Sequence, residues 1–265
     1  MKISAFVITK NNADKIGECL DSLSFVDEVV VVDDFSTDGT PEICLRHKAR
    51  FETRRFTGFR DQKQAAMERT GNDWVLEIDS DEAVSGEMRL SILSLRDENF
   101  ERHAGFSFPR ITRFWGKWIR HGSFYPDRKV RLYDKRRGRW TESDVHERFL
   151  PDGPVGKLEG DILHFQDLDL PEYVRRTARY ADLSAREYFR GGRRASWHHV
   201  TVRPLYTFLY RYLFRLGFLD GLHGVAIAAM GAFGTFLKYM RLYELEKGAD
   251  SPPAGPTPGP EQVRG

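Results

Sequence analysis

Two aspartates near residue 80 have the spacing of a metal-binding pair. Asp79-Ser80-Asp81 places two carboxylates two residues apart. Their oxygen atoms can hold one hard divalent cation and leave coordination positions open, which suits Mg²⁺ or Mn²⁺ when substrate phosphates complete the shell. Such a cation acts as a Lewis acid and neutralises charge that builds up on a departing nucleotide diphosphate. An Asp-x-Asp pattern often occurs by chance, so it indicates a metal site only where its position in the fold supports one.

A second pair of carboxylates comes earlier in the chain, and its second member lies 45 residues before Asp79. Asp33 and Asp34 directly follow four consecutive valines, a run typical of a strand buried on both faces. Asp79 in the same way follows the apolar segment 74–78. A doubly wound sheet binds its ligands at the carboxyl ends of its strands. Aspartates at strand ends also cap helices, but two such pairs favour a functional site.

The elements that must position these carboxylates alternate between strand and helix. Thr40 and Pro41 read as the cap and first residue of one helix. Repeated β-α-β units imply a parallel sheet covered by helices. The predicted strands are 3–9, 28–32, 50–53 and 74–78, and the predicted helices are 12–23, 42–47 and 61–70.

After residue 105 the pattern changes to short strands, at 106–109, 129–133 and 161–165, and then to helices. Asp169 and Glu172 form a capping box at the first of these helices. One face of that helix carries hydroxyl and aromatic side chains, namely Tyr173, Thr177, Tyr180, Ser184 and Tyr188.

Composition excludes several classes of protein. Of 265 residues, 40% are hydrophobic and 30% charged, which excludes global disorder. Two cysteines exclude a disulfide framework or a thiolate zinc site and indicate a reducing compartment. The first apolar run, residues 3–8, is too short for a secretory signal. A net charge of +2 without a matching motif argues against nucleic-acid binding.

The charges are unevenly distributed along the chain. The balance is −7 over residues 1–100, +7 over 101–148 and +6 over 169–247. An acidic segment followed by basic ones suggests a site where an anion, with a metal, lies between them. A dipolar surface without a function would give the same numbers, and charge alone leaves both interpretations open.

Four stretches of the first hundred residues together resemble glycosyltransferase family 2, and within it the bacterial enzymes of the lipopolysaccharide-core glucosyltransferase type. Their order and spacing match the family, and a looser resemblance continues through Val145-His146-Glu147 into the helical region. The four stretches are Ile8-Thr9-Lys10-Asn11-Asn12, Cys19-Leu20-Asp21-Ser22-Leu23, Val31-Val32-Asp33-Asp34-Phe35-Ser36-Thr37-Asp38-Gly39-Thr40 and Asp73-Trp74-Val75-Leu76-Glu77-Ile78-Asp79-Ser80-Asp81-Glu82.

The resemblance implies an α/β protein of the GT-A fold, a Rossmann-like and mostly parallel sheet flanked by helices, with a C-terminal helical extension. It implies a nucleotide-sugar donor, foremost a UDP-sugar, inversion at the anomeric carbon, and Mg²⁺ or Mn²⁺ as cofactor. Residues 1–100 would bind the donor and 101–168 the acceptor, within one domain. Residues 169–248 form the helical region, and the proline-rich segment 249–265 reads as a disordered tail.

Carried over residue by residue, the resemblance assigns the donor and metal sites. It places Thr9, Asn11, Asp33, Asp34 and Asp79 at the nucleotide sugar, and Asp79 and Asp81 at the metal, with Asp81 as the direct ligand. A looser match places Arg60, Gln62 and Lys63 near the nucleotide. Many family members have Pro-x-Tyr-Asn where this chain has Thr9-Lys10-Asn11, so an aromatic partner for the base is missing and the base stays open.

Inverting transfer also needs a general base that deprotonates the acceptor hydroxyl. The resemblance favours Glu147, with Glu142 and Asp144 as reserves; a surface glutamate paired with Arg148 is the alternative. His164 follows the base segment and is either a further metal ligand, since neutral imidazole suits Mn²⁺, or a core histidine.

Two apolar runs near the C-terminus, residues 205–219 and 222–237, raise a separate question. Neither reaches the roughly 18–20 uncharged residues of a spanning helix. Basic residues flank or interrupt them, which is typical of helices in a membrane interface. A buried helix pair or an interface between copies of the chain is the alternative. The basic residues include Arg193, Arg194, Arg203, Arg211 and Arg215.

The sequence therefore predicts a metal-dependent inverting glycosyltransferase acting on a cell-envelope glycan or lipid-linked acceptor. It would be cytoplasmic and peripheral to the inner membrane. Two other classes stay open. A nucleotidyltransferase would use a related sheet, but no Gly-rich loop follows the first strand to hold a triphosphate. A non-catalytic nucleotide-binding or membrane scaffold would not need Asp34, Asp79 and Asp81.

Overall fold

A computed structural model describes residues 1–141, 147–166 and 169–248. Within these residues the chain forms two compact units. The first unit comprises residues 1–111 and 127–165, and the second comprises residues 112–126 and 166–248. The segment 112–126, which the sequence analysis grouped with the acceptor half, is thus part of the unit that contains the C-terminal helices.

The strands of the described residues are β1 (Ile3–Thr9), β2 (Glu28–Asp33), β3 (Arg50–Thr53), β4 (Trp74–Glu77), β5 (Glu82–Val84), β6 (Gly105–Phe114), β7 (Lys117–Ile119), β8 (Asp127–Asp134), β9 (Gly138–Trp140), β10 (Phe149–Pro151), β11 (Val155–Lys157) and β12 (Ile162–Gln166).

The helices are α1 (Ile16–Ser22), α2 (Thr40–Arg46), α3 (Phe59–Glu68), α4 (Gly86–Leu93), α5 (Asp97–Arg102), α6 (Leu170–Arg190), α7 (Trp197–Val200), α8 (Val202–Leu209) and α9 (Leu222–Glu246). A π-helical turn, Tyr210–Phe214, and a 3-10 turn, Gly217–Asp220, lie between α8 and α9.

The sheet of the first unit has the strand order β3-β2-β1-β4-β8-β6-β12-β5. Strands β1 to β4 pair in parallel, as the β-α-β pattern predicts. The later strands β8 and β5 join by antiparallel pairing with β4 and β12. This mixed α/β sheet flanked by helices is the GT-A type of fold, and that prediction is confirmed.

Alternation along the strands of the first unit builds a core on each face of the sheet. The valines of β2 show the principle, because Val31 packs into one cluster, and Val30 and Val32 pack into the other. On β4, Leu76 and Val75 divide in the same way. This double burial explains the uninterrupted apolar runs in the sequence.

Register decides where the polar strand ends lie. Thr9 at the end of β1 pairs with Asp33 at the end of β2, and Phe6 pairs with Glu77 at the end of β4. The residues that follow β1, β2 and β4 therefore leave the sheet at the same edge. This is the edge at which the sequence analysis expected a ligand site.

The starts of the three helices predicted in the first hundred residues all differ from the observed ones, and α3 begins at Phe59 rather than residue 61. Helix α1 begins at Ile16 rather than residue 12, because the Asn12 carbonyl accepts from the N–H groups of Lys15 and Ile16 as a turn. Helix α2 begins at Thr40, with Gly39 in the cap position. The predicted capping role of Thr40 is wrong: its hydroxyl donates to the Asp38 carboxylate at 2.6 Å.

The second unit contains the β6–β7 hairpin end and helices α6 to α9. The Asp169 carboxylate accepts from the Glu172 N–H at 2.7 Å and caps α6, as predicted. One small core, with Ala185, Tyr239 and Leu242 at its centre, joins α6 to α9. Residues 249–265, read above as a disordered tail, lie outside the described residues.

Helix α9 is the single helix of the described residues that is long and apolar enough to cross a membrane by length and composition. The uncharged run itself ends at residue 237, and the helix reaches this length because it continues through Lys238 and Arg241 to Glu246. Length and composition do not distinguish a spanning helix from one that packs within a unit, and α9 does pack, through Tyr239, Leu242 and Leu245.

Candidate active site

Polar loops follow β1 and β2, and at the end of β2 the Asp33 carboxylate is already occupied by hydrogen bonds within the protein. This carboxylate is fully buried and accepts from the N–H and hydroxyl of Ser36. Burial raises the pKa of Asp33, and the Ser36 hydrogen bonds oppose that rise. Asn11 accepts from the Thr37 N–H at 2.8 Å. Asp33 and Asn11 were both predicted to bind the nucleotide sugar, and in the structure both hold the loop after β2.

Asp34 and Thr9 are better placed to meet a ligand. Asp34 accepts from the Phe56 N–H at 3.0 Å and lies 3.7 Å from the Lys10 ammonium. Thr9 is buried, and its hydroxyl has no hydrogen-bond partner in the described residues. A buried hydroxyl without a partner is costly unless a bound group satisfies it. The two residues meet through the Asp34 N–H, which donates to the Thr9 carbonyl at 3.0 Å.

The three residues of α3 that were predicted near the nucleotide have different surroundings. Arg60 is exposed in the first turn of the helix. Gln62 is buried and exchanges hydrogen bonds with Arg54 at 2.7 and 3.1 Å. Lys63 is also buried, and it contacts carboxylates of the central motif.

Lys63 joins three carboxylates at the carboxyl edge of the sheet. Its ammonium lies 2.9 Å from Glu77, 3.0 Å from Asp79 and 3.3 Å from Glu147. Glu77 ends β4 and Asp79 follows it, so α3 reaches over the end of this strand. Glu147 comes from a segment about seventy residues later. The structure therefore brings the predicted base and the first aspartate of the motif to one cation.

Arg131 holds the same carboxylates from within the sheet. It lies on β8 and contacts Glu77 at 2.5 Å, Asp79 at 2.9 Å and Glu82 at 2.9 Å. Tyr133, two residues further along the strand, donates to Glu77 at 3.1 Å. The Asp79 carboxylate is shared, because one oxygen faces Lys63 and the other faces Arg131.

The two cations control ionisation at this point. Burial alone would raise the pKa of Asp79, but Lys63 and Arg131 outweigh it and hold that pKa well below its ordinary value. In the same way, the three neighbouring carboxylates keep the pKa of Lys63 above its ordinary value despite burial. Asp79 and Lys63 are therefore both charged at neutral pH.

Asp81 has a different neighbour. Its carboxylate lies 3.5 Å from the His164 ring, and the Asp81 side chain is 41% exposed. The pairing of β5 with β12 places His164 opposite Glu82, next to Asp81 in sequence. Desolvation raises the pKa of Asp81, but the His164 ring outweighs it and lowers the pKa.

The donor set fits a divalent cation at Asp81 and His164. A carboxylate oxygen and an imidazole nitrogen are ligands suited to Mn²⁺. In the described residues no three His, Cys, Asp or Glu side chains converge on one point, so substrate or water would complete the shell. Four carboxylates (Glu77, Asp79, Glu82 and Glu147) contact Lys63 or Arg131, Glu82 also contacts Arg110, and Asp81 faces His164. The carboxylates outnumber these cations, and a bound divalent cation would offset their repulsion of a diphosphate.

Of the three base candidates, Glu147 is the one the structure describes. Its side chain is 15% exposed and faces Lys63. The reserves Glu142 and Asp144 lie outside the described residues. The predicted surface pairing of Glu147 is not what the structure shows, because its partner is the buried Lys63 rather than Arg148.

Sequence reasoning missed the residues that hold the motif in place: Glu77, Glu82, Arg110 and Arg131. Arg110 bridges Glu82 at 3.4 Å and Asp127 at 2.8 Å. A signal was present, since Glu77 and Arg131 each interrupt a segment predicted as a buried strand. A charged residue in such a strand indicates a buried ion pair.

The fold and this carboxylate site together define an α/β enzyme of the GT-A class. The sequence profile of Glycosyl transferase family 2 matches residues 4–150, more than half of the chain. The chain belongs to this family, and it is a glycosyltransferase.

Similarity to individual proteins extends beyond the family segment. The lipopolysaccharide core biosynthesis glycosyltransferase LpsC of Rhizobium meliloti is 31% identical over 252 residues, which cover 92% of this chain and 93% of LpsC. An uncharacterized glycosyltransferase of Rickettsia typhi is 29% identical over 256 residues, 92% of this chain and 87% of that protein. The crystal structure of S. aureus TarS 1-349 in complex with UDP-GlcNAc aligns with a TM-score of 0.47 at 16% identity, covering 94% of this chain and 92% of that one.

Proposed function

We propose that the protein is a metal-dependent, inverting glycosyltransferase that moves a sugar from a nucleotide-sugar donor, foremost a UDP-sugar, to a cell-envelope glycan or lipid-linked acceptor. The observation that carries the proposal is the meeting of Asp79 and Glu147 at Lys63, beside the Asp81–His164 pair. A metal-binding motif and a candidate base thus share one edge of the sheet. The name of the similar LpsC supports an acceptor of the lipopolysaccharide-core class.

In the proposed reaction the acceptor oxygen forms a bond to the anomeric carbon on the face opposite the diphosphate. The bond between that carbon and the diphosphate oxygen breaks, and the nucleoside diphosphate leaves with both electrons. Glu147 takes the proton of the acceptor hydroxyl. Asp34 and Thr9 bind and orient the nucleoside at the ends of β2 and β1.

Asp81 and His164 would hold the divalent cation, with Asp79 beside them. When bound, the cation supplies Lewis-acid stabilisation of the leaving diphosphate. Lys63 and Arg131 keep the Asp79 carboxylate ionised and fixed in position. The Lys63 ammonium lies 3.3 Å from the Glu147 carboxylate and orients it, and both side chains are largely shielded from solvent.

A panel of nucleotide sugars tests this function. We expect slow donor hydrolysis with Mn²⁺ or Mg²⁺ that EDTA abolishes. Asp81→Asn should lower the rate by about 10²-fold or more, because the change removes the charge that holds the cation. Asp152→Asn is the matched control, since Asp152 is 62% exposed and pairs with the exposed Arg139. Equal hydrolysis with and without EDTA would overturn the metal-dependent mechanism.

We also propose that the second unit lies on the cytoplasmic face of an anionic membrane. Large apolar side chains are exposed along α8, the two turns that follow it and the start of α9. Phe214 and Leu222 are 73% and 84% exposed. Monomeric soluble proteins rarely expose a continuous apolar patch of this kind. A buried helix pair, the alternative interpretation, would cover these side chains, but in a single chain they are exposed.

The basic residues near this patch select an anionic lipid surface as its partner. Arg194 and Arg215 are exposed. Arg193 and Arg203 are also exposed, and each contacts a tyrosine side chain. Arg193 lies 4.3 Å from the centre of the Tyr188 ring, and Arg203 donates to the Tyr239 hydroxyl. Exposed basic side chains near an anionic surface contribute about 1 kcal/mol each.

Sedimentation with vesicles rich in phosphatidylglycerol tests the membrane proposal. We expect the wild-type protein to bind, and Phe214→Ser with Leu222→Ser to weaken binding by about tenfold per side chain, because each buried apolar side chain contributes about 1.5–3 kcal/mol. Leu90→Ser is the control, since Leu90 is 69% exposed in the first unit. Salt should weaken binding. A wild-type protein that stays in the supernatant as a stable dimer would show that the patch joins two copies.

A further inference from the structure

A cleft between α6 and α9, within the second unit, collects cationic and hydroxyl side chains. Its volume is about 320 Å³, at the lower end of the range typical of small-molecule sites. The hydroxyl face of α6 that stands out in the sequence forms one wall. Among the residues that line the cleft are Arg176, Thr177, Ser184, Gly231, Thr235 and Lys238.

Arg211, on the π-helical turn, lies behind the α9 wall of this cleft. Its guanidinium packs directly on Gly231, because a Cβ atom at that position would lie 2.6 Å from one terminal guanidinium nitrogen. Tyr173, which also lines the cleft, is close enough for its ionisation to be affected by both Arg211 and Arg176. Arg176 and Lys238 therefore line the cleft, and Arg211 adds a third positive charge behind its α9 wall.

None of these three cations contacts a carboxylate in the part of the chain that the structure describes. Arg176 lies 5.6 Å from the centre of the Tyr180 ring, and Lys238 lies 4.7 Å from that of Tyr188. Among the described residues that line the cleft there is no aspartate or glutamate. Asp182 on α6 is already occupied, since it holds Arg186 and Arg241 at 2.8 Å each.

Two features of the cleft lower the stability of the folded protein, and no contact of the described residues compensates for either. Glycine in the middle of a helix destabilises it, yet Gly231 lies in the middle of α9. A partly buried guanidinium without a counter-ion loses hydration, and burial lowers the pKa of Arg211 accordingly. Both features have the same result, which is a positive charge held against the cleft wall. A bound anion would compensate for both.

We propose that the α6–α9 cleft binds a phosphate group, as a phosphomonoester or diphosphate, through Arg176 and Lys238 with the hydroxyl of Ser184, and that the positive charge of Arg211 behind the α9 wall strengthens this attraction. Guanidinium and hydroxyl donors match the oxygens of a phosphate, and charge-assisted hydrogen bonds are the strong ones. Resting on the proposed function, this phosphate belongs to the acceptor, either on its glycan or in its lipid headgroup. The cleft then selects phosphorylated acceptors.

Calorimetric titration with inorganic phosphate, in chloride buffer, tests the site directly. We expect the wild-type protein to bind with a Kd of about 1 mM or tighter. Arg176→Met should weaken binding by at least about tenfold, because it removes charge-assisted hydrogen bonds, and Arg211→Met should weaken it through the loss of a nearby positive charge. Gly231→Ala should also weaken it, because the added methyl group displaces the guanidinium. Arg179→Met is the control on an exposed arginine of α6 that does not line the cleft.

Thermal unfolding without phosphate separates a binding role from a structural one. If Arg211 is kept for a ligand, Arg211→Met and Gly231→Ala should unfold at the wild-type temperature or above it. The proposal is overturned if the wild-type protein binds no phosphate, or if Arg211→Met lowers the midpoint and keeps wild-type phosphate affinity.

Vesicles distinguish the two sources of the phosphate. A lipid headgroup predicts that the wild-type protein prefers phosphatidic acid over phosphatidylglycerol vesicles, and that Arg211→Met weakens the preference. A glycan phosphate predicts no such preference, while glucose 6-phosphate binds like inorganic phosphate and loses affinity in Arg211→Met. Donor hydrolysis should be unchanged in Arg211→Met. The outcome is thus separable from failure of the proposed function, which would abolish donor hydrolysis and leave phosphate binding measurable.

Discussion

Glu147→Gln should lower sugar transfer by about 10²–10⁴-fold, the usual contribution of a general base, and leave donor binding nearly unchanged. The amide keeps the shape of the side chain but cannot accept the proton of the acceptor hydroxyl. Lys63 retains Glu77 and Asp79 as partners, so the fold should survive the change. Transfer assays combined with calorimetric donor titration measure the two effects separately.

A control and two contrary outcomes make this prediction specific. Glu159→Gln changes an exposed glutamate of the same unit, 76% exposed and 3.5 Å from Arg128, and should have little effect. If Glu147→Gln instead loses donor affinity, Glu147 belongs to the nucleotide site. If it retains full transfer, the base is another carboxylate, and Glu142 and Asp144 are the next to test.

Short-range signals in the sequence were sufficient for much of the fold. The bounds of β1 and β3 are as predicted, and the β2 prediction ends one residue early, because runs of apolar and β-branched residues mark buried strands. The predicted side-chain cap at Asp169 is also present, since its carboxylate accepts from the Glu172 N–H. Strands such as β5, with three residues, are too short to show a period and were missed.

The contacts within the site depend on long-range register, which local pattern does not contain. Arg131 reaches Glu77 and Asp79 because β8 pairs antiparallel with β4, with Leu132 opposite Leu76. Nothing within ten residues of Asp79 predicts that pairing. The motif therefore indicated the edge of the sheet at which these carboxylates gather, but the sequence could not show that the oxygens of Asp79 already face Lys63 and Arg131. The assignment of Lys63 to the donor stays a prediction.

Arg131→Met should destabilise the protein by about 3–5 kcal/mol, the cost of leaving buried charges without their partner. Arg131 contacts three carboxylates within 2.5–2.9 Å, and its side chain is 6% exposed. Methionine keeps much of the volume and none of the charge. Arg139→Met is the control: Arg139 is 74% exposed, and its pair with Asp152 should contribute about 0–1 kcal/mol. Denaturant unfolding measures both.

The pH dependence of this loss follows from the pKa of Asp79. In the folded protein that pKa lies well below its ordinary value, so ionisation of Asp79 stabilises the fold at pH values above the unfolded pKa of about 3.9. The stabilisation is lost as the pH falls toward the folded pKa. In Arg131→Met, Lys63 alone opposes burial, so the pKa of Asp79 is lowered less and the variant has less stability to lose in acid. The difference in unfolding free energy between wild type and variant should therefore be largest near pH 7 and narrow below about pH 4. A difference that stays constant over this range would mean that Arg131 acts through packing rather than charge.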